Sequence, residues 1–215
     1  MPSGQQARFS VPEPSGPRDR LSALLRPVLV LPHALLVGGP FLGIGFWAYR
    51  AGALGLLAGT ITLLDWVAIL FTGRPLAGLQ GLKHLYLRWR ARVLAYALFL
   101  TDAYPPFGDG DYPATLEIPE QPATRDRFSV ALRPLLLLPH VLVLVALLLG
   151  AFLAAIVAWV SLSVAGTVDG RIWRFSRDVA AYLMRVETYA LLVHDDYPPF
   201  ALAVYDTLAP ASASR

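Results

Sequence analysis

The sequence has no cysteine, so disulfides, thiolate metal sites and thiol nucleophiles are excluded. Charge is scarce: only 15% of the 215 residues are Asp, Glu, Lys or Arg, against about 25% in an ordinary soluble domain. No Walker-type loop, dinucleotide glycine pattern, G-x-S-x-G or H-E-x-x-H occurs, so none of the usual phosphate, acyl-transfer or zincin signatures is available. The first twenty residues carry four prolines and no apolar run, so no cleavable leader is expected. What is abundant is apolar: 56% of residues are hydrophobic. They lie in runs longer than the roughly 18 residues that mark a membrane segment. The chain therefore reads as an integral membrane protein.

The chain is also duplicated. Residues 18–37 set against 125–144 without gaps agree at twelve of twenty positions, among them Arg26-Pro27 with Arg133-Pro134 and Pro32-His33 with Pro139-His140. Residues 66–107 set against 159–200 agree at thirteen of forty-two, including Tyr104-Pro105-Pro106-Phe107 with residues 197–200. The two registers differ by 14 residues, which copy one holds between its histidine and its tryptophan.

Periodicity and charge give an expected architecture. Copy one (1–111) reads as a membrane hairpin over 21–72 turning near Arg50, with Pro32 and Pro40 kinking its first helix and Gly43 and Gly45 allowing close packing. A basic amphipathic helix over 82–101 follows and is expected to lie in the headgroup interface. The alternative is a third spanning helix with its arginines buried in protein. Copy two (112–215) repeats the plan with a hairpin over 132–165 and an amphipathic helix over 171–193. Its 34-residue apolar run fits either a short hairpin or one long tilted helix. Basic flanks at Arg125, Arg127 and Arg133 before it, and Arg171 to Arg185 after it, favour the hairpin with both ends inside. Residues 8–11, 112–118 and 201–205 read as strands of a small extramembrane sheet. The fold class expected is thus all-α and membrane-integral, as two tandem repeats with a small β element.

The order R-P, L-P-H, "WVAILFTGRP" over 66–75 and "TDAYPPF" over 101–107 resembles an uncharacterised family of bacterial integral membrane proteins, a domain of unknown function, here in two copies. The resemblance implies a membrane location. It supplies no activity, substrate or catalytic residue. Copy two departs from the pattern at "VAGTVDGR" and at His194-Asp195.

Four groups of residues carry the candidate chemistry. His33 and His140 sit at equivalent helix entries and would suit a haem or chlorophyll-type pigment, against the plainer role of bonding a carbonyl freed by the adjacent proline. Asp65 is an intramembrane acid, against simple pairing with Arg50, Arg74 or a partner subunit. Arg26, Arg133, Arg88, Arg92, Arg177 and Arg185 would reach lipid phosphates. The Y-P-P-F elements stop helices at the interface. No several-ligand metal site is expected, nor nucleic-acid binding. The expected function is a non-catalytic accessory or anchoring subunit of the bacterial cytoplasmic membrane, multi-pass with both termini inside. Its expected partners are lipids and other subunits or its own copies. A transporter, channel or lipid-moving protein, and a pigment carrier, are the alternatives.

Overall fold

The structure is a computed structural model and describes residues 6–16, 18–39, 52–120 and 124–202. Strand β1 (Arg8–Ser10) opens copy one, followed by helices α1 (Arg20–Leu29), α2 (Leu31–Val37), α3 (Gly52–Thr72) and α4 (Gln80–Ala97). Strand β2 (Thr115–Glu117) opens copy two, followed by α5 (Arg127–Ala165) and α6 (Gly170–Ala190). Two helices, α3 and α5, are long and apolar enough to cross a membrane, and the bent pair α1–α2 passes the same test jointly.

Local chemistry sets the ends. Asp19 caps α1 through Leu21 N at 3.0 Å, and its repeat partner Asp126 caps α5 through Phe128 N at 3.1 Å. Gly166, at φ +71, closes α5 in the left-handed conformation. Near Pro32 the chain bends by 41° between α1 and α2, as a missing amide donor predicts.

Neither expected hairpin forms among the described residues. Copy two is one helix of 39 residues, running through Pro134 and Pro139. Its apolar run holds no charge or turn pair at which to reverse, and Gly150 alone does not make a turn. In copy one, α3 begins beside the end of α2. A Cβ on Gly52 would lie 2.4 Å from the Leu36 carbonyl carbon and 2.6 Å from Gly38 N, so only glycine fits where the chain returns. α3 and α1 do not pack side by side. The turn expected near Arg50, with Pro40, Gly43 and Gly45, falls outside the described residues. Copy one thus forms a broken rod, α1–α2–α3, where copy two forms an unbroken one, α5.

Reciprocal contacts relate the copies by an approximate two-fold. Arg125 N donates to Gly73 O at 2.8 Å, and Arg18 N to Gly166 O at 3.4 Å. Trp66 Nε1 donates to Val130 O at 2.9 Å, and Trp159 Nε1 to Leu24 O at 3.3 Å. Val130 O is the acceptor that Pro134, lacking its N–H, leaves vacant. β1 and β2 pair antiparallel with Phe9 opposite Leu116, its own repeat equivalent. Each strand lies on the amphipathic helix of the other copy, β1 on α6 and β2 on α4. The strands expected at 8–11 and within 112–118 are present. The third lies mostly outside the described residues.

The amphipathic helices turn most of their surface into the protein. α4 and α6 pack on one another and are covered by the rods on one side and the sheet on the other. Tyr86, Leu87, Trp89 and Leu94 of α4, and Val179, Tyr182, Leu183 and Met184 of α6, form the core. Arg90 Nε of α4 meets Glu187 Oε2 of α6 at 2.7 Å across the contact between the two helices. Burial of these side chains in protein is one half of the alternative to the headgroup reading; the other half, a spanning helix, is not met, since neither α4 nor α6 is apolar enough to cross a membrane.

Candidate functional site

Each copy builds the same clasp from the residues the sequence singles out. In copy one, α4 ends in a left-handed residue, Phe99 at φ +60, and in copy two α6 ends in Leu192 at φ +56. That conformation strains a side-chain-bearing residue by about 1 kcal/mol or more. It also turns backbone carbonyls toward the arginine of the R-P motif. Arg26 Nη1 donates to Tyr96 O at 3.1 Å and Thr101 O at 3.0 Å, while Nη2 reaches Asp102 Oδ1 at 2.8 Å. Arg133 Nη1 donates to Tyr189 O at 3.1 Å and His194 O at 3.0 Å, and Nη2 reaches Asp195 Oδ1 at 2.7 Å. The guanidinium carbon stands 4.4 Å over the Tyr96 ring in one copy and 4.2 Å over Tyr189 in the other.

A second arginine shares each carboxylate. Arg18 meets Asp102 at 2.6 Å and also donates to Phe99 O, and Arg125 pairs with Asp195. Burial works against the Asp102 charge, but hydrogen bonds from Arg18 and Arg26 outweigh it and hold the carboxyl below its usual range.

The histidines close the other half of the clasp. His33 stacks on Phe107 with centroids 4.2 Å apart, with Tyr104 edge-on at 5.0 Å. His140 stacks on Phe200 at 4.3 Å, with Tyr197 at 4.8 Å. Trp89 Nε1 donates to His33 Nδ1 at 3.1 Å, and the Tyr182 hydroxyl lies 2.6 Å from His140 Nδ1. Indole nitrogen only donates, so His33 Nδ1 is an acceptor and its proton sits on Nε2. Neither imidazole bonds a proline-freed carbonyl, as had been expected. Both rings are fully buried, and Nε2 of each has no hydrogen-bond partner among the described residues.

Arg26, Arg133 and Arg185, expected at lipid phosphates, are each 1% exposed or less. They point inward toward backbone carbonyls, and Arg26 and Arg133 reach the partly exposed carboxylates of Asp102 and Asp195 from beneath. Arg185 donates to Ala201 O at 2.6 Å, beyond the second Y-P-P-F. Its equivalent Arg92 does the same to Gly108 O at 2.8 Å. Arg88 pairs with Asp109 and Arg177 with Asp178, both nearer the surface.

Asp65 is buried and fully satisfied, by Lys83 Nζ at 2.6 Å, Gln80 Nε2 at 2.8 Å and Leu76 N at 2.8 Å. Its cation is Lys83 of α4, not Arg74, and Arg50 lies outside the described residues. Sequence reasoning missed Lys83. The signal was available: Asp65 and Lys83 become Ala158 and Ser176 in copy two, so both charges are absent together. Among the described residues no cluster of three or more His, Asp or Glu side chains is placed to hold a metal.

The clasp explains the spacing of the motifs, since R-P meets D and P-H meets Y-P-P-F within each copy. No curated protein and no solved structure matches the chain. Two tandem segments, residues 20–108 and 127–201, match one family. Each contains a complete R-P, P-H and D-x-Y-P-P-F set, and the chain belongs to that family, described as Domain of unknown function (DUF4389).

Proposed function

We propose that the protein is a non-catalytic integral membrane subunit, a scaffold that packs against or anchors a larger assembly in the bacterial cytoplasmic membrane with both termini inside. One observation carries this reading. The buried arginines of both copies spend their hydrogen bonds, and the buried histidines their ring faces, on the other motif residues. A catalytic or transport site needs such groups turned toward a substrate path. Asp65, the acid a proton or ion pathway would use, already holds three donors. The outward faces of α3 and α5, by contrast, are almost wholly leucine, valine, isoleucine and phenylalanine, a surface for acyl chains and neighbouring helices.

The test is purification of tagged full-length chain from its native membrane in mild detergent, followed by mass spectrometry of intact complexes. A stoichiometric companion protein is expected. A lone monomer that carries flux in proteoliposomes, lost on Asp65→Asn, would replace this reading with transport.

The free Nε2 atoms of His33 and His140 favour a second reading, a pigment or haem carrier. Ligation through Nε2 requires Nδ1 to carry the proton. The Trp89 indole cannot accept that proton, so the observed contact opposes ligation in copy one. A visible absorption band in the purified protein would reverse that judgement.

A further inference from the structure

We propose that the two rods lie in the plane of a single membrane leaflet rather than crossing the bilayer, so that the molecule presents one greasy face to acyl chains and one polar face to water. The inference rests on the membrane reading and concerns how the chain sits there.

Length is the first argument. At ~1.5 Å per residue the 39 residues of α5 extend about 58 Å, nearly twice the ~30 Å hydrocarbon layer. Fitting that rod across the layer needs a tilt of about 60°, beyond the ~40° limit of spanning helices.

The helix beneath the rod is the second. α6 runs antiparallel along α5: Phe175 meets Gly150, Tyr182 meets His140, and Tyr189 meets Arg133. α4 follows the other rod in the same way, with Trp89 at His33 and Tyr96 at Arg26. A crossing rod would carry Arg177, Asp178, Arg185 and Glu187 of α6 to bilayer depth beside it. A rod lying flat leaves them on the watery side.

The third is the distribution of surface. α5 buries a single stripe along its whole length, through Val130, Arg133, His140, Leu144, Ala151, Ala155, Ala158 and Leu162. Away from that stripe, exposed apolar side chains run the length of the helix from Phe128 to Val164. On the opposite side of the molecule the sheet exposes Arg8, Ser10, Thr115 and Glu117. A spanning protein wants an apolar belt; this one has an apolar side. Exposed arginines sit at both rod ends, Arg20, Arg171 and Arg174 near Gly166, and Arg74 and Arg127 near Gly73. That placement matches anionic headgroups around an embedded slab.

The absence of native cysteine makes the test direct. Thr124→Cys and Thr167→Cys mark the two ends of α5, and both positions are exposed. An impermeant maleimide is applied to right-side-out and inside-out membrane vesicles. Both sites are expected to react from the same side only; reaction from opposite sides overturns the proposal. Nitroxides at Leu135→Cys, Leu142→Cys, Leu149→Cys and Ile156→Cys, in vesicles of phosphatidylethanolamine and phosphatidylglycerol, are expected to report one shallow depth. A deep minimum midway along the series would overturn it equally. Release of the chain by alkaline carbonate would instead defeat the membrane reading itself.

Discussion

The two copies keep one arrangement and vary everything around it. Both hold an arginine between an aspartate and two backbone carbonyls, a histidine stacked on the phenylalanine of Y-P-P-F, and a left-handed residue at the end of the amphipathic helix. Three of their differences alter the fold or its charges. Copy one breaks its rod with 14 extra residues, joins α3 to α4 through Asp65 and Lys83, and carries Thr101 where copy two carries His194. The clasp is therefore the part that each copy needs, and the ion pair is a local solution that copy two does without.

The largest effect is expected where the copies agree. Arg133→Ala leaves the Tyr189 and His194 carbonyls without their donor and Asp195 with Arg125 alone, and Arg26→Ala leaves the Tyr96 and Thr101 carbonyls bare and Asp102 with Arg18 alone. Orphaning a buried acceptor costs about 1–3 kcal/mol, so with two carbonyls stranded in each case both variants should unfold well below wild type in detergent melts. Lysine at either position should fail to rescue, because a point ammonium cannot reproduce the planar fork. Equal losses in the two copies would support the symmetry. A mild effect in one copy alone would mean the clasp has been kept there by descent and not by need.

A smaller effect is expected where the copies differ in charge. Asp65→Ala strands the Lys83 ammonium in a fully buried site and should cost about 3 kcal/mol. Adding Lys83→Ser gives copy one the residue pair of copy two, Ala158 and Ser176, and should recover most of that loss. A double variant no better than the single would show that the ion pair does more than neutralise itself.

Much of this was legible in the sequence, and the rest failed for identifiable reasons. The duplication, a short strand at the start of each copy and the membrane segments all follow from spacing and composition. The hairpins did not, because basic residues at both ends of an apolar run describe a chain that turns back and equally one that lies flat. The inward turn of Arg26, Arg133 and Arg185 was not legible either, because their acceptors are distant or invisible to pattern. Asp102 lies 76 residues from Arg26, and the carbonyls of Tyr96 and Thr101 become available only through the strained turn at Phe99. The histidine contacts could have been foreseen from the copies alone, since P-H and Y-P-P-F recur together.

The third comparison concerns pH. Burial, with Arg133 adding to it, pushes the His194 imidazole down to about 4 from its ordinary 6.5. As pH falls the unfolded chain therefore takes up this proton before the folded one does. Its contribution to stability is complete above about pH 6.5 and declines between there and about pH 4. His194→Thr, which installs the copy-one residue, should flatten that part of the pH profile of melting temperature while leaving the neutral value nearly unchanged. An unaltered acid slope would place the titration elsewhere, for instance at His84, which burial and Arg88 also hold low.

The smallest effect should follow from making the two rods alike. In the two registers Val37 matches Leu144 and Gly52 matches Val145, which are consecutive in α5. Residues 38–51 thus enter at a single peptide bond of an otherwise shared helix. Removing them, with Gly52→Val to match Val145, should fuse α2 to α3. Closing a loop costs only the slowly growing entropy of its length, and removing a helical glycine returns about 1 kcal/mol. The deletion should therefore leave the melting temperature level or slightly higher, with Trp66 still bonded to Val130 and Gly73 to Arg125. If the variant aggregates instead, the ends of α2 and α3 do not meet as one rod. The broken and unbroken copies would then be two folds sharing a clasp.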